Sequence, residues 1–225
     1  MATVLAICGT KGGIAKSTLA VHVAALARER GEQVVVVDAD PQQATTRWLG
    51  EAEPDVHVER ATATQDLLRI VPTLRAHADV VLLDGAGGDA ELTRAAMLRA
   101  DAVALPCGPS LLDLRALKDT LDLLAVVQDI RAGAPRALVV PTRWTNTRVA
   151  ADVMAALQQL GVPVARHHAP QRAAIADAPG AGAIVWRMPS SGDAGDAMRA
   201  VALELLEHAH AETTTPKPGR RPRRR

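Results

Sequence analysis

A three-layer α/β/α fold with a mostly parallel, twisted sheet is predicted by three features of the sequence. Short continuous apolar runs recur along the chain, as strands do when both faces of their sheet are covered. Amphipathic segments at helical spacing separate these runs, so successive strands must be joined by crossovers. The first run also passes through a glycine-rich turn directly into a helical segment, which makes residues 3 to 37 one βαβ unit.

The elements follow in order. Val4 to Cys8 is a buried strand. Ser17 to Arg30 is a helix, with Leu19, Val23, Leu26 and Ala27 on one face and Gly31 as its stop. Val34 to Val37 is the second strand. Thr64 to Ala76 has helical spacing, with a break or kink expected at Pro72. Val80 to Leu83 is a strand and Asp89 to Arg99 a helix. Ala102 to Leu105 is a strand ended by Pro106. Leu111 to Asp129 is a long helix with Leu114, Leu117, Leu121, Leu124 and Val127 along one stripe. Ala137 to Val140 is a strand, residues 147 to 160 a helix, Val162 to Val164 a short strand, and Asp193 to Ala209 a last helix. Residues 166 to 191 carry no clear period. One domain is expected over residues 1 to 211, followed by a low-complexity, disordered tail over 212 to 225.

Composition narrows the function classes. Aromatic residues make up 1% of the chain, with three Trp and no Phe or Tyr, so stacking on nucleic-acid bases is disfavoured and the core must be aliphatic. The net charge of +1 conceals an asymmetry: residues 216 to 225, PKPGRRPRRR, hold six positive charges, and the remainder sums to −5. A mildly acidic body thus ends in a basic tail suited to a polyanion or to solubility. Cys8 and Cys107 provide neither a disulfide framework nor iron–sulfur ligand spacing. No signal-type segment and no run of about 18 apolar residues is present. A cytosolic location is expected.

The strongest motif is Lys11-Gly12-Gly13-Ile14-Ala15-Lys16-Ser17-Thr18, set between the first strand and the first helix. Glycines let backbone N–H groups curl round phosphate oxygens, and the helix N-terminus adds its partial positive charge. Lys16 is placed for the β- and γ-phosphates and Ser17 for Mg²⁺. The general phosphate-loop pattern is not met strictly, because Thr10 and Ala15 stand where it has glycines. The plainer alternative is a glycine-rich turn opening an ordinary helix. Two carboxylate positions oppose that alternative. Val34 to Val37 leads into Asp38-Ala39-Asp40-Pro41-Gln42, and Val80 to Leu83 leads into Asp84-Gly85-Ala86-Gly87. An acid at the end of a buried strand beside such a loop is the arrangement that holds Mg²⁺.

KGG-x-x-KST resembles the deviant Walker A motif of the ParA/MinD superfamily, whose pattern has Gly at the place of Ala15. DGAG, the DPQ…T-x-W pattern of Asp40 to Gln42 and Thr46 to Trp48, Pro106 to Asp113, and Thr142-Arg143 resemble small plasmid-type ParA proteins related to ParF. The resemblance spans about residues 3 to 205 and implies a P-loop NTPase fold and a slow, dimer-dependent ATPase using ATP and Mg²⁺. It implies that Lys11 reaches the partner's nucleotide, that Asp40 orients the attacking water, and that Asp38 lies near the magnesium. Lys11, Lys16 and Asp40 are then the catalytic set, residues 11 to 18 hold the phosphates, and Ser17, Asp38 and Asp84 serve the metal. By the same resemblance Pro109, Thr142 and Met188 lie near the base.

Partition ATPases of this kind bind DNA without sequence preference. Arg166, Arg172, Arg187 and Arg199 are candidates, with Arg220, Arg221, Arg223, Arg224 and Arg225 in the tail. His167 and His168 read as ordinary histidines with no ligand partners at useful spacing. The tail has no apolar face, which disfavours membrane attachment. The expected partners are a second copy of the chain, nonspecific DNA, and a centromere-binding or cargo adaptor on the nucleoid. Three functions remain open: segregation of plasmid or chromosomal DNA, positioning of a protein cargo such as a microcompartment, and a nucleotide-gated DNA-binding module with little turnover.

Overall fold

The structure, a computed structural model, describes residues 2–211. Six parallel strands form one sheet in the order β3-β2-β4-β1-β5-β6. They are β1 (Thr3–Ile7), β2 (Val34–Asp38), β3 (His57–Arg60), β4 (Val80–Asp84), β5 (Ala102–Cys107) and β6 (Arg136–Pro141). The helices are α1 (Lys16–Glu29), α2 (Ala44–Ala52), α3 (Thr64–Leu74), α4 (Ala90–Arg99), α5 (Leu111–Ile130), α6 (Arg148–Gln158), α7 (Ala173–Asp177) and α8 (Asp193–His210).

The apolar runs have their continuity because both faces are covered. Leu5, Ile7, Val36, Leu82 and Ala104 face a core shared with α1 and α8. Val4, Ala6, Val37, Leu83 and Leu105 face the opposite core, shared with α3, α4, α5 and α6. The middle layer is therefore dry on both sides, and α1 itself is covered along most of its length.

Three boundaries differ from expectation. Pro72 does not end its helix, which continues to Leu74. Proline cannot donate to the carbonyl four residues back, Leu68 O. That carbonyl instead accepts from Arg99 Nη2 at 2.6 Å, so a neighbouring helix supplies the bond that Pro72 lacks. Pro106 likewise lies inside β5. The pairing of β5 with β1 stops at Ala104, so no ladder bond to β1 is lost there. Val162 to Val164 forms only a parallel bridge, Val139 to Val164, at the β6 edge. Two further elements are short: α2 buries one face through Thr45, Trp48 and Leu49, and β3 is the four-residue edge run His57–Arg60 with exposed ends.

Candidate nucleotide site

The site sits beyond the C-terminal ends of β1, β2 and β4, where ligands of open parallel sheets bind. The loop between β1 and α1 is clamped from several sides. Thr10 Oγ1 donates to Ala116 O at 3.2 Å, Gly88 N donates to Thr10 O at 2.9 Å, and Thr142 Oγ1 donates to Ile14 O at 3.1 Å. Arg143 Nη1 donates to Gly13 O at 2.5 Å. A cavity of about 510 Å³ opens in front of the loop, with Gly12, Gly13 and residues 15 to 18 on its floor and Asp40 and Gly87 at its side.

Gly87 keeps this space open, and Gly85 lets the end of β4 approach the β1 backbone closely. A Cβ on Gly87 would lie 3.0 Å from Gly12 Cα and 3.2 Å from Lys16 Nζ, and one on Gly85 would lie 2.8 Å from Ile7 O. Ala15 is the misfit. It adopts φ 70°, the left-handed region, as the N-cap of α1, where a glycine would be unstrained.

The carboxylates are brought together by register. Asp38 and Asp84 end adjacent parallel strands and pair directly across β2 and β4. Both are fully buried. Asp38 Oδ2 accepts from Thr46 N at 2.9 Å and from Thr46 Oγ1 at 2.7 Å, while its Oδ1 accepts from Asp40 N at 3.1 Å. Asp38 is thus committed to shaping the segment that carries Asp40. Asp84 Oδ2 accepts from Thr45 Oγ1 at 2.6 Å. Burial pushes Asp84 up to about 6, opposed by hydrogen bonds from Thr45 and Ser17 and by the Lys16 charge. Its Oδ1 is buried and has no hydrogen-bond partner. An unpartnered carboxylate oxygen on a residue that also interacts with Ser17 fits a hard cation that takes its remaining ligands from water and phosphate. No group of three or more His, Cys, Asp or Glu among the described residues could hold a metal.

Burial also lowers the Lys16 pKa, against the pull of Asp84 and Asp40. Its Nζ donates to Lys11 O at 2.9 Å, which aims the ammonium across the loop. Lys11 turns away: its Nζ lies 2.5 Å from Asp113 Oδ1. Asp113 is fixed in turn by Ser110, whose Oγ donates to Asp113 Oδ2 at 2.5 Å and caps α5 by accepting from Asp113 N at 3.1 Å.

Residues 5–185 match the family described as the CobQ/CobB/MinD/ParA nucleotide binding domain. The chain belongs to this family. Similar sequences include the maintenance of carboxysome distribution protein A of Halothiobacillus neapolitanus, 27% identical over 90% of this chain and 95% of that protein. The chromosome-partitioning ATPase Soj of Thermus thermophilus is 28% identical over 90% of this chain and 94% of its own. Among solved structures, apo McdA from Cyanothece superposes with a TM-score of 0.78 at 18% identity, covering 91% of this chain and all of that one. Pyrococcus furiosus MinD gives 0.73 at 21% identity, covering 92% and 99%. The three-layer fold is that of the ParA/MinD superfamily; a specific closeness to ParF-related proteins has no separate support.

Within this family frame, the predicted residues separate into groups. Gly12, Gly13, Ala15, Lys16, Ser17, Thr18 and Asp40 line the cavity, whereas Ile14 is buried beneath it. Thr142 is buried behind the loop, and neither Pro109 nor Met188 is part of the cavity wall. The wall away from the phosphates comes instead from Pro170, Gln171, Arg172, Ile175 and Pro179, all within the stretch whose sequence has no clear period. Thr45 and Arg143 were also missed as site residues. Thr45 stands just before the recognisable T-x-W, and Arg143 is part of the Thr142-Arg143 pair that carries the resemblance, but neither position shows in sequence that it contacts Asp84 or Gly13.

The four body arginines are each paired. Arg166 meets Glu204 at 3.3 Å, Arg172 meets Asp193 at 3.0 Å, and Arg199 meets Glu29 at 2.7 Å. Arg187 is clamped between Glu29 and Glu53, at 2.9 and 2.5 Å. His167 Nδ1 lies 2.9 Å from Glu204, a carboxylate 37 residues away that sequence spacing did not reveal. Arg220, Arg221, Arg223, Arg224 and Arg225 lie outside the described residues. No described helix is long and apolar enough to cross a membrane.

Proposed function

We propose that this chain is a Mg-ATP-dependent positioning ATPase of the ParA type, which dimerises on ATP, binds DNA without sequence preference and uses hydrolysis to release its assembly. The observation that carries the reading is the convergence of Lys16, Ser17 and Asp40 on one glycine-walled cavity, with Asp84 buried behind it at the end of β4 and carrying an unpartnered carboxylate oxygen. Bound Mg²⁺ would supply charge neutralisation at the phosphates. The chain's own groups do the rest. The loop N–H groups and Lys16 bind and orient the phosphates. Asp38 holds the backbone of Asp40, and Asp40 positions the water. Lys11, released from Asp113, would bring a second positive charge to the partner's γ-phosphate, an effect that can reach about 10³ to 10⁵ in rate in phosphoryl transfer.

The cargo reading has two equal branches. One is segregation of plasmid or chromosomal DNA, as the name of the Thermus relative suggests. The other is positioning of a protein cargo, supported by the carboxysome-distribution relative. A neighbouring gene for a small DNA-binding adaptor favours the first, and a shell-protein cluster favours the second.

The decisive experiment is sedimentation with ATP, paired with a turnover assay. Asp40→Ala is expected to dimerise with ATP and not to hydrolyse it, while Lys16→Ala binds no ATP. A monomeric Asp40→Ala protein in saturating ATP overturns the assignment. A natural protein that binds ATP and DNA with negligible turnover replaces it with a nucleotide-gated binding module.

A further inference from the structure

At the opposite end of the sheet from the glycine-rich loop lies a second cavity, of about 570 Å³, lined by Val71, Pro72 and Leu98 and by Arg75, Arg99 and Arg131. It forms where α3, α4 and α5 end, since Arg75 and Arg131 are the C-caps of α3 and α5 and Arg99 closes α4. Part of each arginine's role is structural. Arg75 Nη2 donates to Asp101 at 2.8 Å, Arg99 Nη2 to Leu68 O at 2.6 Å, and Arg131 Nη1 to Met97 O at 3.0 Å and also to Ala100 O.

Those bonds leave the cavity unbalanced. Asp101 is the one carboxylate ion-paired with any of the three arginines among the described residues, and it also accepts from Val4 N at 2.9 Å. Three guanidinium charges thus meet one carboxylate. Arg75 Nε and Arg99 Nε are sealed from water with no acceptor. Burial lowers the Arg131 pKa; the Asp101 charge opposes this, and the neighbouring Arg75 and Arg99 charges add to it. The partial negative charge of the three helix C-termini offsets part of this, and the positive excess that remains stands, partly desolvated, beside an aliphatic wall. The complementary ligand carries an anionic group on an apolar body.

We propose that this cavity is a second ligand site, which takes the phosphate of a small phosphomonoester on Arg75, Arg99 and Arg131 and lays its apolar body on Val71, Pro72 and Leu98. The site shares no residue with the nucleotide cavity and does not depend on what that cavity binds.

The test follows the arginine Nε–H resonances of the full-length protein by NMR, with Mg-ADP in excess so that phosphate is excluded from the glycine-rich loop. Inorganic phosphate and phenyl phosphate are the probes. The resonances of Arg75, Arg99 and Arg131 are expected to shift saturably with both. Binding is expected to be about tenfold weaker in Arg75→Gln, as for loss of one charge-assisted hydrogen bond. Phenyl phosphate is expected to bind tighter than inorganic phosphate by roughly tenfold, from burial of its ring. Absence of shifts in the natural protein, or equal shifts with chloride at matched ionic strength, overturns the site without reliance on any variant. Equal affinity for the two probes overturns the role of the aliphatic wall.

Discussion

The Lys11 ammonium lies 2.5 Å from the Asp113 carboxylate, so the charge at the head of the glycine-rich loop is held within its own subunit. Asp113 is itself held below its ordinary pKa by hydrogen bonds from Lys11 and Ser110, against the effect of its burial. Any role for Lys11 in a partner's site requires this pair to open. Asp113→Asn is therefore expected to lower the ATP concentration needed for dimerisation by up to about fivefold, since partly exposed pairs contribute at most about 1 kcal/mol. Light scattering across an ATP titration measures it; an unchanged or raised midpoint shows that the pair does not restrain Lys11.

Ala15 occupies the left-handed region at φ 70°. Relief of that strain favours Ala15→Gly by roughly 1–2 kcal/mol, and the extra freedom of glycine in the unfolded chain offsets about half of it. A net gain of about 1 kcal/mol in urea unfolding is expected, together with tighter nucleotide binding. Equal or weaker binding by the glycine variant would show that the Ala15 methyl group does not obstruct the phosphates.

Gly87→Ala should have the opposite effect. Its new methyl would crowd Gly12 Cα and Lys16 Nζ, both parts of the phosphate cradle. We expect ATP affinity to fall about tenfold or more, through displacement of Lys16 from its charge-assisted contacts, with the melting temperature changed by only a few degrees. Isothermal titration and thermal melting, read together, separate this from general unfolding.

His22 gives a pH signature. It is enclosed by Trp48 and Trp186 at 5.4 and 5.2 Å between ring centroids, and it is neutral: Nδ1 donates to Thr18 O at 2.7 Å while Nε2 accepts from Val185 N at 3.2 Å. Burial lowers its pKa from 6.5 to about 4. The unfolded chain takes up this proton first. Its stability contribution is therefore whole above pH 6.5 and is lost as pH falls toward 4, by about 3 kcal/mol in total. Urea unfolding at pH 7.5 and pH 5 should show the loss, and His22→Gln should lessen the difference. A pH-independent midpoint would mean that the folded ring can take a proton.

Much of the site was readable because its chemistry is local in sequence. Lys11 to Thr18, Asp38, Asp40 and Asp84 each follow an apolar strand directly, and the strands converge at one end of the sheet. What escaped notice depends on tertiary partners. The wall at residues 170 to 179 is made of a five-residue helix and loop, too short to have a period. The paired state of Arg187 and Arg199 depends on Glu29, more than 150 residues away. Pro72 looked like a helix breaker because the Arg99 side chain that replaces its missing bond belongs to another helix.

The direct pairing of Asp38 with Asp84 also bears on how the protein matures. A slip of β2 by one residue would reverse the faces of its side chains and move Asp38 away from Thr46. Chains with such an error would lack the acidic end of the cavity and could not recognise the nucleotide fully. Ligand binding would then act as a proofreader of sheet assembly, because it draws the population toward correctly registered molecules by mass action.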